Sequence, residues 1–315
     1  MSTSTTLTPL PAARYTFGGD EHVFVELAEA MSLPAFFKGM AITAELQRRC
    51  AAGLSGLAGL SGLSGLSGIT EICPANASYL VRFDPDVIAP DALLAELQAI
   101  EAGVGSTELT LQTRLIEIPV LYDDPWTNET QQRFRDRHQD PASTDLAYAA
   151  RINGKADVQA FIDAHAAAPW FVSMVGFVAG LPFLFQMVER AQQLEVPKYL
   201  RPRTDTPKLT LGHGGCFSCI YSVRGAGGYQ MFGITPAPIF DPAQGLPYLK
   251  DMMVFFRPGD IVKWKPISRA EYDRDVADVA AGHFDLRIRP VSFSLREFLA
   301  DPAAYNAGLL ASLAD

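Results

Sequence analysis

Two glycine-rich phrases, Gly212-His213-Gly214-Gly215 and Gly227-Gly228-Tyr229-Gln230, and an arginine set between prolines in Pro202-Arg203-Thr204-Asp205-Thr206-Pro207 carry the side chains best suited to chemistry. A guanidinium can grip a carboxylate through two parallel hydrogen bonds, and the flanking prolines fix the backbone that carries Arg203. His213 can donate or relay a proton. Gly214 and Gly228 allow close backbone approach to a ligand. Tyr229 and Gln230 place a phenol and an amide directly after a tight turn, where both can position a planar polar group. Plain structural readings stay open beside these: Arg203 as the partner of Asp205 or another acid, the glycines as turn residues, and Tyr229 as a packed core ring.

The other reactive residue types point to no site. Cys50, Cys73, Cys216 and Cys219 are too few and too scattered for a disulfide framework. Cys216 and Cys219 have redox or metal spacing, but on a strand residues three apart face opposite sides, so reduced thiols are expected. His165 reads as a helix C-terminal residue, and His22, His138 and His283 as surface or packing residues. No His/Cys/Asp cluster has metal-ligand spacing, so no metal is expected, and neither a Walker loop nor a dinucleotide fingerprint is present.

Composition narrows the partners. The 315 residues carry a net charge of −9 with no dense Lys/Arg run, which argues against nucleic acid and anionic membrane surfaces. With 48% hydrophobic and 19% charged residues the chain is built to fold around a core. No signal-like start and no run of about 18 apolar residues is seen, so a soluble cytoplasmic protein is expected.

The elements that must position the site follow from periodicity. Tyr15 to Glu26 reads as a hairpin, Pro34 to Arg49 as a helix with Phe37, Met40, Ala41 and Leu46 on one face, Ile69 to Phe83 as two strands, and Pro90 to Ala102 as a second helix. That order predicts a small α+β sandwich over 1–108. Gly53 to Gly68 repeats glycine every third residue and reads as an expanded loop. LTLQTRLIEIPVLYDD is a long alternating strand into a second domain over 109–290. There Trp126 to Ala166 is helical with a break at Asn153-Gly154, and short runs from Trp170, among them MMVFF, have the spacing of a small closed β-barrel. Capping-box spacing at Ser268/Glu271 and Ser294/Glu297 marks two helix starts, the second opening a C-terminal helical arm over 291–315.

Several phrases in order along both domains carry a resemblance. GGDEHVFVE, GITEICPANASYLVRFDP, VGFVAGLPFL, PRTDTP, GAGGYQMFGITPAPIFDP and FFRPGDIVKWKPIS resemble the KipI-like family, also called the 5-oxoprolinase B subunit or allophanate hydrolase subunit 1. GGCFSCIYSVRGAGGYQ and the ending GHFDLRIRPVSFSLREFLADPAAYNAGL look like the KipI-like half of the urea carboxylase carboxyltransferase domain. The resemblance implies an α+β domain followed by a cyclophilin-like β-barrel, and pairing with a KipA-like subunit. It implies carboxylation or ATP-dependent hydrolysis of a urea-, amide- or lactam-type substrate. ATP and carboxybiotin would come through partner chains, including biotin carboxylase and biotin carrier, since no Met-Lys biotinylation site occurs here. His213 and Tyr229 are then the expected catalytic residues, with Arg203, Gly214, Gly228, Gln230 and Thr235 binding substrate.

Three departures from the family pattern bear on this. Members commonly read GRTP where this chain has Gly233-Ile234-Thr235-Pro236, Pro238 stands where a basic residue is common, and Ala179 replaces a proline. Losing a cation at Ile234 puts substrate class or activity in question. A rival expectation is regulatory: KipI-like proteins can inhibit a sensor histidine kinase. Peptidyl-prolyl isomerase activity does not follow from a cyclophilin-like fold alone.

Overall fold

The computed structural model describes residues 12–54, 67–104 and 110–313, so most of the glycine repeat expected as a loop lies outside the described residues. The chain divides into two compact units. The described residues up to Leu111 group with Phe293–Ala300, and Gln112–Ser292 groups with the described residues from Asp301 onward. The expected C-terminal arm is thus shared between the units.

In the first unit β1 (Arg14–Gly18), β2 (His22–Glu26), β3 (Ile69–Pro74) and β4 (Ser78–Phe83) form an antiparallel sheet in the order β1-β2-β4-β3. Gly19, with φ of 64°, makes the hairpin turn where an ordinary side chain would be strained. Helices α1 (Leu33–Leu54) and α2 (Pro90–Gly103) pack on one face. Val23, Val25, Tyr79, Val81 and Phe83 from the strands meet Ile42, Leu46, Leu93 and Leu97 from the helices, the period-two and period-3.6 stripes required of a sheet-and-helix sandwich. The short helix α7 (Leu295–Ala300) belongs here, with Phe293 stacked on Phe37 at 5.3 Å.

The second unit opens with β5 (Thr110–Tyr122), which carries the expected long strand. Asp124 then caps α3 (Pro125–Arg133) by accepting from the Trp126 and Thr127 amides at 3.0 and 2.9 Å. The helices α4 (Asp145–Ile152) and α5 (Val158–Ala167) flank the expected break at Asn153-Gly154. Next come β6 (Trp170–Val175), β7 (Pro182–Gln186), β8 (Arg203–Thr206), β9 (Thr210–Gly214), β10 (Phe217–Ile220), β11 (Gly225–Gly227), β12 (Gln230–Ile234) and β13 (Ile261–Pro266). Helix α6 (Arg269–Ala280), strand β14 (Arg287–Ser294) and helix α8 (Pro302–Ala311) complete the described elements. The capping box at Ser268/Glu271 is formed, and the Glu297 amide donates to Ser294 Oγ at 3.3 Å.

Eight strands lie in the order β12-β9-β10-β7-β6-β13-β5-β14, and β12 also pairs with β5 through Gly233↔Tyr122 and Ile234↔Leu121. That pairing needs glycine at 233, where a Cβ would stand 2.5 Å from the Leu121 carbonyl oxygen. The β5–β13 ladder is parallel, and the β6–β7, β7–β10, β9–β10, β9–β12, β5–β12 and β6–β13 ladders are antiparallel. MMVFF is not a strand: Met252 and Met253 are exposed, and the stretch makes only the isolated bridge Phe240↔Val254. β8 and β14 had no clear sequence signature, because Pro202, Pro207 and Pro290 obscure the alternation. The main core packs inside this sheet around Trp170, Trp264, Phe161, Phe232 and Val262.

Candidate active site

Register decides where each expected residue goes. β9 pairs with β12 as Gln230↔His213 and with β10 as Ser218↔His213 and Cys219↔Gly212. His213, Ser218 and Gln230 therefore share one face, while Gly212, Gly214, Cys219 and Tyr229 share the other.

On the inner face His213 is fully buried among Trp170, Phe232 and His165, and its Nε2 donates to the carbonyls of Leu194 and Gly215 at 3.1 and 3.2 Å. Burial pushes its imidazole down to about 4, against partial support from those carbonyls, so it stays neutral. His165 is likewise buried and lowered well below the ordinary range by desolvation, with Nδ1 hydrogen-bonded to the Tyr122 hydroxyl at 2.9 Å. It stands in the last turn of α5, as expected, and is at the same time a fully buried core group. Gln230 spans His138 Nε2 and the Pro197 carbonyl, each at 2.8 Å.

A buried polar cluster continues from there. The Asp145 carboxylate accepts from Tyr199 at 2.8 and 2.9 Å, from Arg135 at 3.0 Å and from the Met231 amide at 2.8 Å. Desolvation raises its carboxyl, and those hydrogen bonds together with the charges of Arg203 and His138 oppose the rise. Arg203 has 0% exposure: its guanidinium donates to the Tyr229 carbonyl at 2.7 Å and to Thr206 Oγ1 at 3.3 Å and lies 4.5 Å over the Tyr199 ring. Asp205, one acid that the plain structural reading offered Arg203, pairs instead with Arg133 and Arg224.

The outer face is different. Gly212, Gly214 and Gly227 make room for two tyrosines: a Cβ would come within 2.9 Å of the Tyr221 ring at Gly212, 2.4 Å of the Tyr229 ring at Gly214 and 2.4 Å of the Tyr221 hydroxyl at Gly227. The glycines admit aromatic rings rather than a ligand backbone. Tyr221 and Tyr229, with Leu181 and Cys219, form a small cluster separate from the main core. Above it opens a cavity of about 370 Å³ lined by Phe177, Leu181, Phe183, Lys198, Pro202, Cys219, Tyr221, Ala226 and Gly227 to Tyr229. Burial, reinforced by Cys219 and Tyr221, holds the Tyr229 phenol far above its ordinary value, so it is a hydrogen-bond donor and not a base at neutral pH. The Lys198 ammonium lies 5.2 Å from the Tyr229 ring centroid. The Cys219 thiol, raised by desolvation, is not a nucleophile.

Of the seven expected site residues, Tyr229 and Gly228 line this cavity and Gly214 supports the Tyr229 ring. Arg203, His213, Gln230 and Thr235 are buried away from it, and Thr235 Oγ1 accepts from the Ala237 amide at 3.2 Å. Ile234 packs with Leu121 and Tyr272, so the departure at that position is absorbed in an apolar contact outside the cavity. Sequence reasoning missed Lys198 and Phe177. Lys198 sits in irregular chain with no periodic signal, and Phe177, with φ of 71° and 74% exposure, lies in VGFVAGLPFL, a phrase that stood out only for the family resemblance. No group of three or more His, Cys, Asp or Glu that could hold a metal is found among the described residues.

Comparison with known proteins adds the family. Residues 13–250 match the model described as carboxyltransferase domain, subdomain C and D. The chain is 28% identical over 211 residues to the B subunit of 5-oxoprolinase from Bacillus subtilis, covering 64% of this chain and 77% of that one. It is 25% identical over 297 residues to urea amidolyase of Lachancea kluyveri, covering 92% of this chain but only 15% of that protein. The crystal structure of the K. lactis urea amidolyase superposes with a TM-score of 0.78 at 22% identity, over 98% of this chain and 18% of that one, a likeness of fold. By the match through both units, the chain belongs to the carboxyltransferase domain, subdomain C and D, family.

Proposed function

We propose that the chain is one half of a two-part enzyme, a KipI-like subunit that pairs with a KipA-like subunit to carboxylate, or hydrolyse with ATP, a urea-, amide- or lactam-type substrate. The observation that carries this is the family match over 13–250, which runs through every segment lining the Tyr229 cavity. The seven strands linked in a ring from β12 to β5 are read as the cyclophilin-like barrel.

In this reading the cavity is this chain's share of the active site. Tyr229 keeps its proton and donates a hydrogen bond to a substrate carbonyl or carboxylate oxygen as negative charge develops there. Lys198 supplies the cation that the sequence assigned to Arg203. Arg203 acts through Tyr229 by fixing its backbone carbonyl, and the Tyr199 amide fixes the Gly228 carbonyl at 2.7 Å. One ammonium on apolar walls does not fit a triphosphate, nor does the lining offer partners for a polar ureido ring, so no step is drawn through ATP or carboxybiotin on this chain. Both are assigned to partner chains in the cytoplasm. Among the described residues, no helix is long and apolar enough to cross a membrane.

The test is co-expression with a KipA-like subunit, followed by ATP- and bicarbonate-dependent assays on urea, guanidine-like compounds and 5-oxoproline. A co-purifying pair that turns over one of them supports the reading. Suppression of a sensor histidine kinase by the chain alone, without turnover, points to the regulatory alternative.

A further inference from the structure

The lining of the cavity narrows the substrate. We infer that it takes a ligand with an apolar or aromatic body carrying one carboxylate, and does not take urea itself; this rests on reading the cavity as the substrate site. Its walls are Phe177, Leu181, Phe183, Pro202 and Ala226 with the faces of Tyr221 and Tyr229, and no acidic residue lines it. Two polar groups face a ligand: the Tyr229 phenol and the Lys198 ammonium, which makes no ion pair among the described residues. The Tyr221 hydroxyl already accepts from the Tyr229 amide at 3.3 Å, and the Gly228 carbonyl is taken by Tyr199.

Urea would bring four N–H groups to a site with almost no free acceptor, and each one left unpaired is penalised. It is also too small: urea has four non-hydrogen atoms, whereas cavities of roughly 300 Å³ and more suit ligands of many atoms. An apolar body matches the walls, and a carboxylate matches the unpaired ammonium and the phenol donor.

The experiment is calorimetric titration of the full chain with 3-phenylpropionate, 3-phenylpropionamide, urea and biocytin. Saturable binding of 3-phenylpropionate is expected, with the amide about tenfold weaker for want of its charge. Lys198→Met should bring the carboxylate down to the affinity of the amide. Gly228→Leu, whose added Cβ meets nothing nearer than Pro202 at 3.9 Å, should abolish both with the melting temperature unchanged. Saturation by urea or biocytin that Gly228→Leu removes would overturn the inference, as would 3-phenylpropionate binding indifferent to both variants. Because titration needs no partner, failure of turnover with a KipA-like subunit would sink the two-part reading and leave this inference standing. Urea turnover without 3-phenylpropionate binding would do the reverse.

Discussion

The two faces of the β9–β12 ladder use neighbouring residues for opposite ends. Inward, His213 and Gln230 join a region closed to solvent: His213 Nε2 donates to two carbonyls while its Nδ1 is buried without a hydrogen-bond partner, Gln230 is held by His138 and Pro197, and Asp145 by Tyr199, Arg135 and the Met231 amide. Outward, Tyr229 offers its phenol to an open apolar cavity beside a lysine with no ion-pair partner among the described residues. Reactive residue types therefore mark both faces, and of the two the outer face alone opens onto the cavity. The inner face holds the Tyr229 segment in place, since Arg203 binds the carbonyl of Tyr229 and Asp145 the amide two residues on.

Three perturbations test the difference between the two faces. The largest effect is expected from Asp145→Ala, which leaves half-buried Arg135 and the nearby, fully buried Arg203 without their counter-charge and should cost about 3–5 kcal/mol in a denaturant melt. A loss below about 1 kcal/mol would show that the inner cluster is not what fixes β12.

Acid comes next. The unfolded imidazole of His213 titrates near its ordinary value of 6.5 and the folded one at about 4, so between those values the unfolded chain binds a proton that the folded chain refuses. Stability should then fall as pH drops from 6.5 towards 4, by up to about 3 kcal/mol from this residue. His165 acts in the same direction. The contribution of His213 is read as the difference between parent and His213→Gln in denaturant melts at pH 4.5 and 7, and an identical pH dependence would place His213 in contact with solvent.

On the outer face, Gly214→Ala sets a methyl group 2.4 Å from the Tyr229 ring. The ring must shift, at a cost of about 1–3 kcal/mol, and a structure of the variant should show the cavity reshaped. An unmoved ring would contradict the view that these glycines exist to admit it.

Much of the architecture was legible because alternation and capping are local. Val23 and Val25, the hairpin glycines, the 90–102 helix and the Ser268 cap all follow from short-range rules. Site placement was not, because it depends on strand register. GHGG and GGYQ read alike as ligand-approach motifs, yet one-residue steps along β9 and β12 send His213 and Gln230 inward and Gly214 and Tyr229 outward. Lys198 and Phe177 gave no such cue, because tertiary folding alone brings these irregular segments to the cavity.

In the proposed enzyme the chemistry runs on the outer face through the Tyr229 phenol. Tyr229→Phe keeps the ring and its packing and removes only the hydroxyl, so the deciding measurement is kcat of the pair formed with a KipA-like subunit, read beside the melting temperature. A fall in kcat of about a hundredfold is expected, with the melting temperature unchanged. An unaltered kcat, alongside a large loss in His213→Gln of equal stability, would contradict it and move the chemistry to the inner face.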